Sequence, residues 1–135
     1  GLFDENIAMG IDWELWLRLS MEYDFYHIDE SLLYYRLWEG QMSHKWKKRY
    51  EWAEYIMNQF LERYPDALTK KAINIAWADT YTNRGNLYLI NDKNKTAALE
   101  DYHRALSHQW HFLPAWKSII KMYLPFLRRR TSLQE

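Results

Sequence analysis

The chain has 135 residues, enough for one domain or two small ones. Its 18 Lys and Arg balance 18 Asp and Glu, so it lacks the basic footprint of a nucleic-acid binder. With no cysteine it excludes a disulfide framework, thiolate zinc sites and a cysteine nucleophile, and it leaves the redox compartment open.

The sequence opens inside what reads as a structured motif and without an initiator Met, as expected of a fragment. Residues 1–10 read as a turn and loop. Asp12 is placed to cap a helix running to about Tyr23, with Trp13, Trp16, Leu17 and Ser20 on one face and Leu15 and Leu19 on a neighbouring one. A helix apolar on two sides expects cover on two sides. Phe25-Tyr26-His27-Ile28 reads as a short strand, Asp29-Glu30-Ser31 as a turn, and Leu32–Leu37 as a second strand. Two short strands do not make a stable sheet alone, so this part reads as the end of a larger α/β domain.

Composition changes after Gly40. A helix is predicted over Lys45–Tyr64, with an apolar stripe of Trp46, Tyr50, Ala53, Ile56, Met57 and Phe60, ended by Pro65. A second is predicted over Leu68–Leu89 with a break near its start, then a polar loop Asn91–Lys95. Helices over Thr96–Ser107 and Pro114–Leu124 follow, and Arg128-Arg129-Arg130 opens a tail. No apolar run approaches the roughly 20 residues that cross a bilayer, and no signal peptide is visible. The eight Trp and eleven Tyr supply apolar surface for a core.

An internal repeat is present. Tyr81 and Trp116, like Tyr88 and Tyr123, lie 35 residues apart. With Gly85, Ala98, Tyr102 and Ala105 they form a pattern of large, small and aromatic positions that resembles the tetratricopeptide repeat over Ala78–Leu124. Small Gly85 and Ala98 allow close helix approach. Arg84 stands where the pattern has Leu, and the closing Pro is missing. One and a half units predict a helical cap, not a long solenoid.

The chemistry-bearing residues lie near the start. Gly1-Leu2-Phe3-Asp4-Glu5, then Asp12-Trp13-Glu14-Leu15-Trp16-Leu17-Arg18-Leu19, Tyr34-Tyr35-Arg36 and Gly40-Gln41-Met42-Ser43 occur in this order. They resemble the distal part of family 2 glycosyltransferases of the GT-A fold, over about residues 1–45. With the helices and the tetratricopeptide-like repeat read above, the expectation is a mainly α chain of helical hairpins. Its tetratricopeptide-like helical domain, residues 46–135, would be preceded by a short α/β remnant of the catalytic domain, residues 1–45. In that family the second acid of a pair is the general base that takes the acceptor hydroxyl proton as the oxygen attacks a nucleotide-sugar. The matching residue is Asp12, with Ile11 in place of the first acid. A carboxylate at a helix N-terminus suits that task, and the plain alternative is an N-cap.

Asp4 and Glu5 are candidates for the acceptor side, or caps of a loop anchored by Phe3. Arg36 is a candidate for holding a diphosphate, or half of a structural ion pair. Trp38 stands where many relatives have His, so that residue's role does not transfer. His44 is a weak substitute, and Arg18 reads as structural. There is no glycine-rich phosphate loop and no Asp-x-Asp for a divalent metal. The Mn or Mg expected in the parent enzyme therefore belongs to residues outside this segment, and the segment alone is expected to be inactive.

The partners implied are a nucleotide-sugar and an acceptor in the parent enzyme, with a protein partner or self-association through the helices. The alternative class is a helical interaction module with a groove around Tyr81, Tyr88 and Tyr102. Lys45–Tyr50 reads as a solvated helix face, and His103, His108 and His111 do not have metal-site spacing. The expected location is cytoplasmic, with Leu124–Arg130 either a peripheral contact at the inner membrane face or an ordinary charged tail. Leu2, Phe3, Trp13, Trp16, Phe25 and Leu33 are expected to be hidden by folding back onto the helical part or by dimerisation.

Overall fold

The computed structural model describes residues 2–124. The chain divides into two compact units, one ending at Ala67 and one formed from Leu68 onward. The expected features at Gly1 and at Arg128–Arg130 lie outside the described residues. The described residues are mainly helical and include no strand.

In the first unit α1 spans Ile11–Leu19. Its N-cap is Gly10, not the expected Asp12: Gly10 sits at φ 80°, where L side chains are disfavoured, and its carbonyl accepts from Glu14 N–H at 3.0 Å. A Cβ there would also come within 3.2 Å of the Ile56 side chain. The helix stops four residues short of Tyr23, where the Ser20 hydroxyl donates to Leu17 O and the Tyr23 N–H reaches Leu19 O in a turn. A single 3-10 turn, Met42–His44, precedes α2 (Trp46–Arg63), an unbroken 18-residue helix.

Along α2, Tyr50, Ile56 and Phe60 are buried, and with Ile7 they form this unit's small core. Full burial of a side chain such as Ile56 contributes about 1.5–3 kcal/mol. Pro65 ends the helix as expected: the residue before it, Tyr64, leaves the helical region at φ −131°. Lys47, Lys48 and Arg49 stay exposed, and Lys47 and Arg49 lie over the Trp46 and Tyr50 rings, which fits a solvated face.

The two predicted strands do not form. Every residue from Ser20 to Gly40 is exposed, and Phe25–Leu37 has no regular secondary structure, with a bend at Glu30. Tyr26 is 91% exposed, Leu33 75% and Leu37 76%. Sheet pairing needs a partner strand, and none is supplied by the described residues. Folding back covers the expected surface only in part: Trp13 is half-buried beside Tyr50 and Ala53, whereas Leu2 is 91% exposed and Phe3, Trp16, Phe25 and Leu33 are exposed.

In the second unit α3 (Lys70–Leu87) is capped by the Thr69 hydroxyl, which accepts from Ala72 N–H at 3.2 Å. Its end widens into one π turn, Tyr88–Asp92. Next, α4 (Lys95–His108) is capped by Asn94, whose side chain accepts from Ala97 N–H at 3.0 Å. Finally, α5 (Leu113–Tyr123) carries Pro114 in its first turn, where the missing N–H costs nothing.

Helices α3 and α4 form an antiparallel hairpin, read from pairs that approach in opposite order: Arg84 with Asp101, Gly85 with Ala98 and Tyr102, and Tyr81 with His108. Gly85 permits that approach, since a Cβ would stand 2.6 Å from the Tyr102 ring and 3.1 Å from Ala98 O. Three fully buried alanines, Ala78, Ala105 and Ala115, mark where α3, α4 and α5 meet, and Tyr81, Leu106 and Phe112 fill the space around them. The small positions Gly85, Ala98 and Ala105 and the aromatic Tyr102 are thus buried in the packing, whereas Trp116 and Tyr123 stay exposed.

Candidate functional site

The first turn of α1 carries two carboxylates, Asp12 and Glu14, where the helix dipole favours negative charge. Asp12 is exposed, and its carboxylate accepts the Trp13 N–H at 2.9 Å. Arg36 lies on the exposed segment between α1 and α2. Asp4 folds an Asx turn in which the backbone and side-chain nitrogens of Asn6 both donate to Asp4 Oδ1, at 2.9 and 3.0 Å. Glu5 is exposed in that turn. No hydrogen bond or ion pair joins Asp4, Glu5, Asp12 and Arg36 to one another.

The Gly40–Ser43 segment is held locally. Gln41 N–H bonds Trp38 O, His44 N–H bonds Gln41 O, and the Trp38 ring lies directly over Gly40. His44 Nδ1 faces Glu39 O at 2.9 Å, a local contact rather than a ligand-directed one.

A cavity of about 350 Å³ lies beside α1 and α2, with Asp4, Glu14, Arg18 and Gln59 on its polar wall and Ile7 and Phe60 on its apolar one. Arg18 organises it. The guanidinium grips both Glu14 oxygens, Nε–Oε1 at 2.5 Å and Nη2–Oε2 at 2.9 Å, and donates to Leu2 O at 2.8 Å. The hydrogen bond to Glu14 pushes the Arg18 pKa further up, so this charge is permanent. The pair is an (i, i+4) match on a helix, and that spacing is the signal by which it can be found in a sequence. Of the residues proposed for sugar transfer, Asp4 is the one that borders this cavity.

The second unit holds an ion pair with no local sequence signal. Arg84 Nε and Nη2 reach the two Asp101 oxygens at 2.7 Å each, seventeen residues apart in sequence. Nearby, Trp77, Tyr81 and His108 stack with ring centroids 5.7–5.8 Å apart. Burial lowers the His108 pKa. Tyr102 is fully buried and not part of an open groove; burial raises its pKa, and its hydroxyl donates to Asn86 Oδ1 at 2.8 Å. The groove anticipated around Tyr81, Tyr88 and Tyr102 is therefore closed at Tyr102. The open concavity of this unit lies instead between the end of α3 and α5.

Among the described residues no three His, Asp or Glu side chains converge in a way that would hold a metal ion. No helix among them is long and apolar enough to cross a membrane. Comparison with known protein families, with curated proteins and with solved structures gives no match to this chain.

Proposed function

We propose that this chain is the distal part of a family 2 glycosyltransferase, in which Asp12 deprotonates an acceptor hydroxyl during transfer from a nucleotide-sugar, and that the segment alone turns nothing over. The observation that carries this is the exposed stretch from Phe25 to Leu37. It is rich in Tyr and Leu, exposed, and without regular secondary structure. Such a stretch suits two strands that belong on a sheet supplied by the rest of a catalytic domain. On that sheet Arg36 would be carried on a strand rather than in solvent. The position of Asp12 on the first turn of α1, open to solvent, suits a base that must reach a substrate hydroxyl. A cytoplasmic site of action suits the same assignment.

The test is expression of the full reading frame that contains this segment, with sugar transfer measured against a panel of nucleoside diphosphate sugars. Asp12→Asn is expected to lower kcat by about 10²–10⁴-fold with little change in donor KM. A full-length product that transfers no sugar sinks the assignment. Transfer that survives Asp12→Asn removes Asp12 from the role of base.

A second assignment, a helical module that binds a protein partner or itself, is favoured by one observation on α5. Leu113, Trp116, Ile120 and Tyr123 form an exposed apolar stripe, 65%, 45%, 46% and 64% accessible. Sedimentation equilibrium separates the two: reversible self-association abolished by Trp116→Glu supports the module, and a monomer at all concentrations counts against self-association.

A further inference from the structure

The end of α3 departs from regular geometry. The last turn widens over Tyr88–Asp92, closed by the Lys93 N–H on Tyr88 O, and Lys93 itself adopts φ 55°. Among the described residues it is the one non-glycine residue at positive φ. A lysine is disfavoured there, and Asn94, the residue type that tolerates the conformation, stands one position on. Widened turns and left-handed residues of this kind gather at binding sites.

This departure places Lys93 at a cavity of about 600 Å³ between the end of α3, the start of α4 and α5, a size suited to a small organic ligand. Three cations, Lys93, Lys95 and Lys121, line it and no carboxylate does. Lys93 Nζ donates once, to Ile90 O at 2.8 Å, which leaves two of its three N–H donors for a ligand. The apolar wall includes Leu89 and Met122. Behind it the buried Tyr102 hydroxyl donates to Asn86, a residue that also lines the cavity, so that part of the wall is held in place. With Asn86 Oδ1 taken by Tyr102, the Asn86 amide N–H₂ is the group left to offer the cavity a donor.

We propose that this cavity binds an anionic amphiphile, a phosphate monoester carrying an alkyl chain. The phosphate lies among the three lysines and the Asn86 amide, and the chain lies over Leu89 and Met122. Three cations suit a phosphate dianion better than a single carboxylate charge. The apolar wall distinguishes this ligand from free phosphate. The site is independent of Asp12 and of the assignment to sugar transfer.

Isothermal titration of the chain with n-decyl phosphate, below its micelle concentration, tests this. One site is expected, with inorganic phosphate and decanoate each bound about tenfold or more weaker. Lys93→Glu and Lys121→Glu are each expected to weaken decyl phosphate by about tenfold or more, and the uncharged Met122→Asn to weaken it while leaving inorganic phosphate unchanged. Lys93 and Lys121 are exposed, so both variants should retain the wild-type far-ultraviolet circular dichroism; the milder Lys121→Gln, weakening binding by a few-fold, guards against loss of fold. Inorganic phosphate bound as tightly as decyl phosphate would reduce the site to a bare anion contact and overturn the proposal. Equal binding of decyltrimethylammonium, or decyl phosphate affinity unmoved by both charge reversals, would overturn it as well.

Discussion

Replacing Asp101 with alanine removes half of the ion pair that ties α3 to α4. Both Arg84 nitrogens sit 2.7 Å from carboxylate oxygens, and the two side chains are 13% and 4% exposed. Deleting one partner of a buried pair costs about 3–5 kcal/mol, because the other charge is left desolvated. Arg84 keeps some access to water and a place over the Tyr81 ring, centroid distance 5.1 Å, which lowers the expected cost to about 2–3 kcal/mol. In a unit this small each kcal/mol moves the midpoint by about 4–8 °C, so a fall of about 10–20 °C is expected. Removing both charges together, Arg84→Met with Asp101→Ala, leaves nothing buried and unpaired. That double variant should lie within about 1.5 kcal/mol of the starting protein, giving a coupling of about 2 kcal/mol in a double-mutant cycle. The assay is thermal and urea unfolding followed by circular dichroism. If the two single losses simply add in the double variant, the pair does not hold the hairpin as described.

Gly85→Ala is expected to destabilise the second unit by about 1–2 kcal/mol. Overpacking against the anchored Tyr102 ring costs about 1–3 kcal/mol and exceeds the roughly 1 kcal/mol of helix propensity gained; a rise in urea midpoint would refute this. His108, whose pKa is lowered by burial, binds its proton more readily when the chain is unfolded. Its contribution is therefore lost as pH falls below the ordinary histidine value of about 6.5 toward the lower folded value. Stability should rise with pH across that window, and His108→Gln should flatten the slope. Amides of residues 25–37 make no backbone hydrogen bond and should exchange at near intrinsic rates in the isolated chain. In the longer glycosyltransferase proposed above, protection by about 10³-fold or more is expected if they join a sheet, and continued fast exchange there would remove the support for that proposal.

Helix positions were the most legible part of the sequence, and the reason is local. Pro65, Pro114 and the polar residues Thr69 and Asn94 act within one turn of themselves, so α2, α4 and α5 begin and end within one residue of expectation. The repeat was legible for a related reason. Gly85 and Ala98 are small because two backbones meet there, a demand visible in residue size alone. The start of α1 was misassigned because Asp12 and Gly10 are both acceptable caps. The choice fell to Gly10, which can take φ 80° and which stands against Ile56, a tertiary neighbour 46 residues away.

The strands and the candidate site were less legible, and both for want of a partner. An apolar run such as Leu32–Leu37 carries strand propensity, but propensity fixes a strand only once another strand supplies hydrogen bonds. Within these residues none does, so Arg36 stays on an exposed segment and is not carried toward Asp12. Arg84 illustrates the converse. Read alone it breaks the apolar pattern of its repeat, and only the fold reveals Asp101 waiting across the hairpin at bidentate distance. A residue that departs from a repeat consensus is thus a direction in which to look for a tertiary partner. By the same logic the exposed Phe25–Leu37 stretch, which violates the usual burial of apolar side chains, points to a partner surface that these residues do not themselves contain.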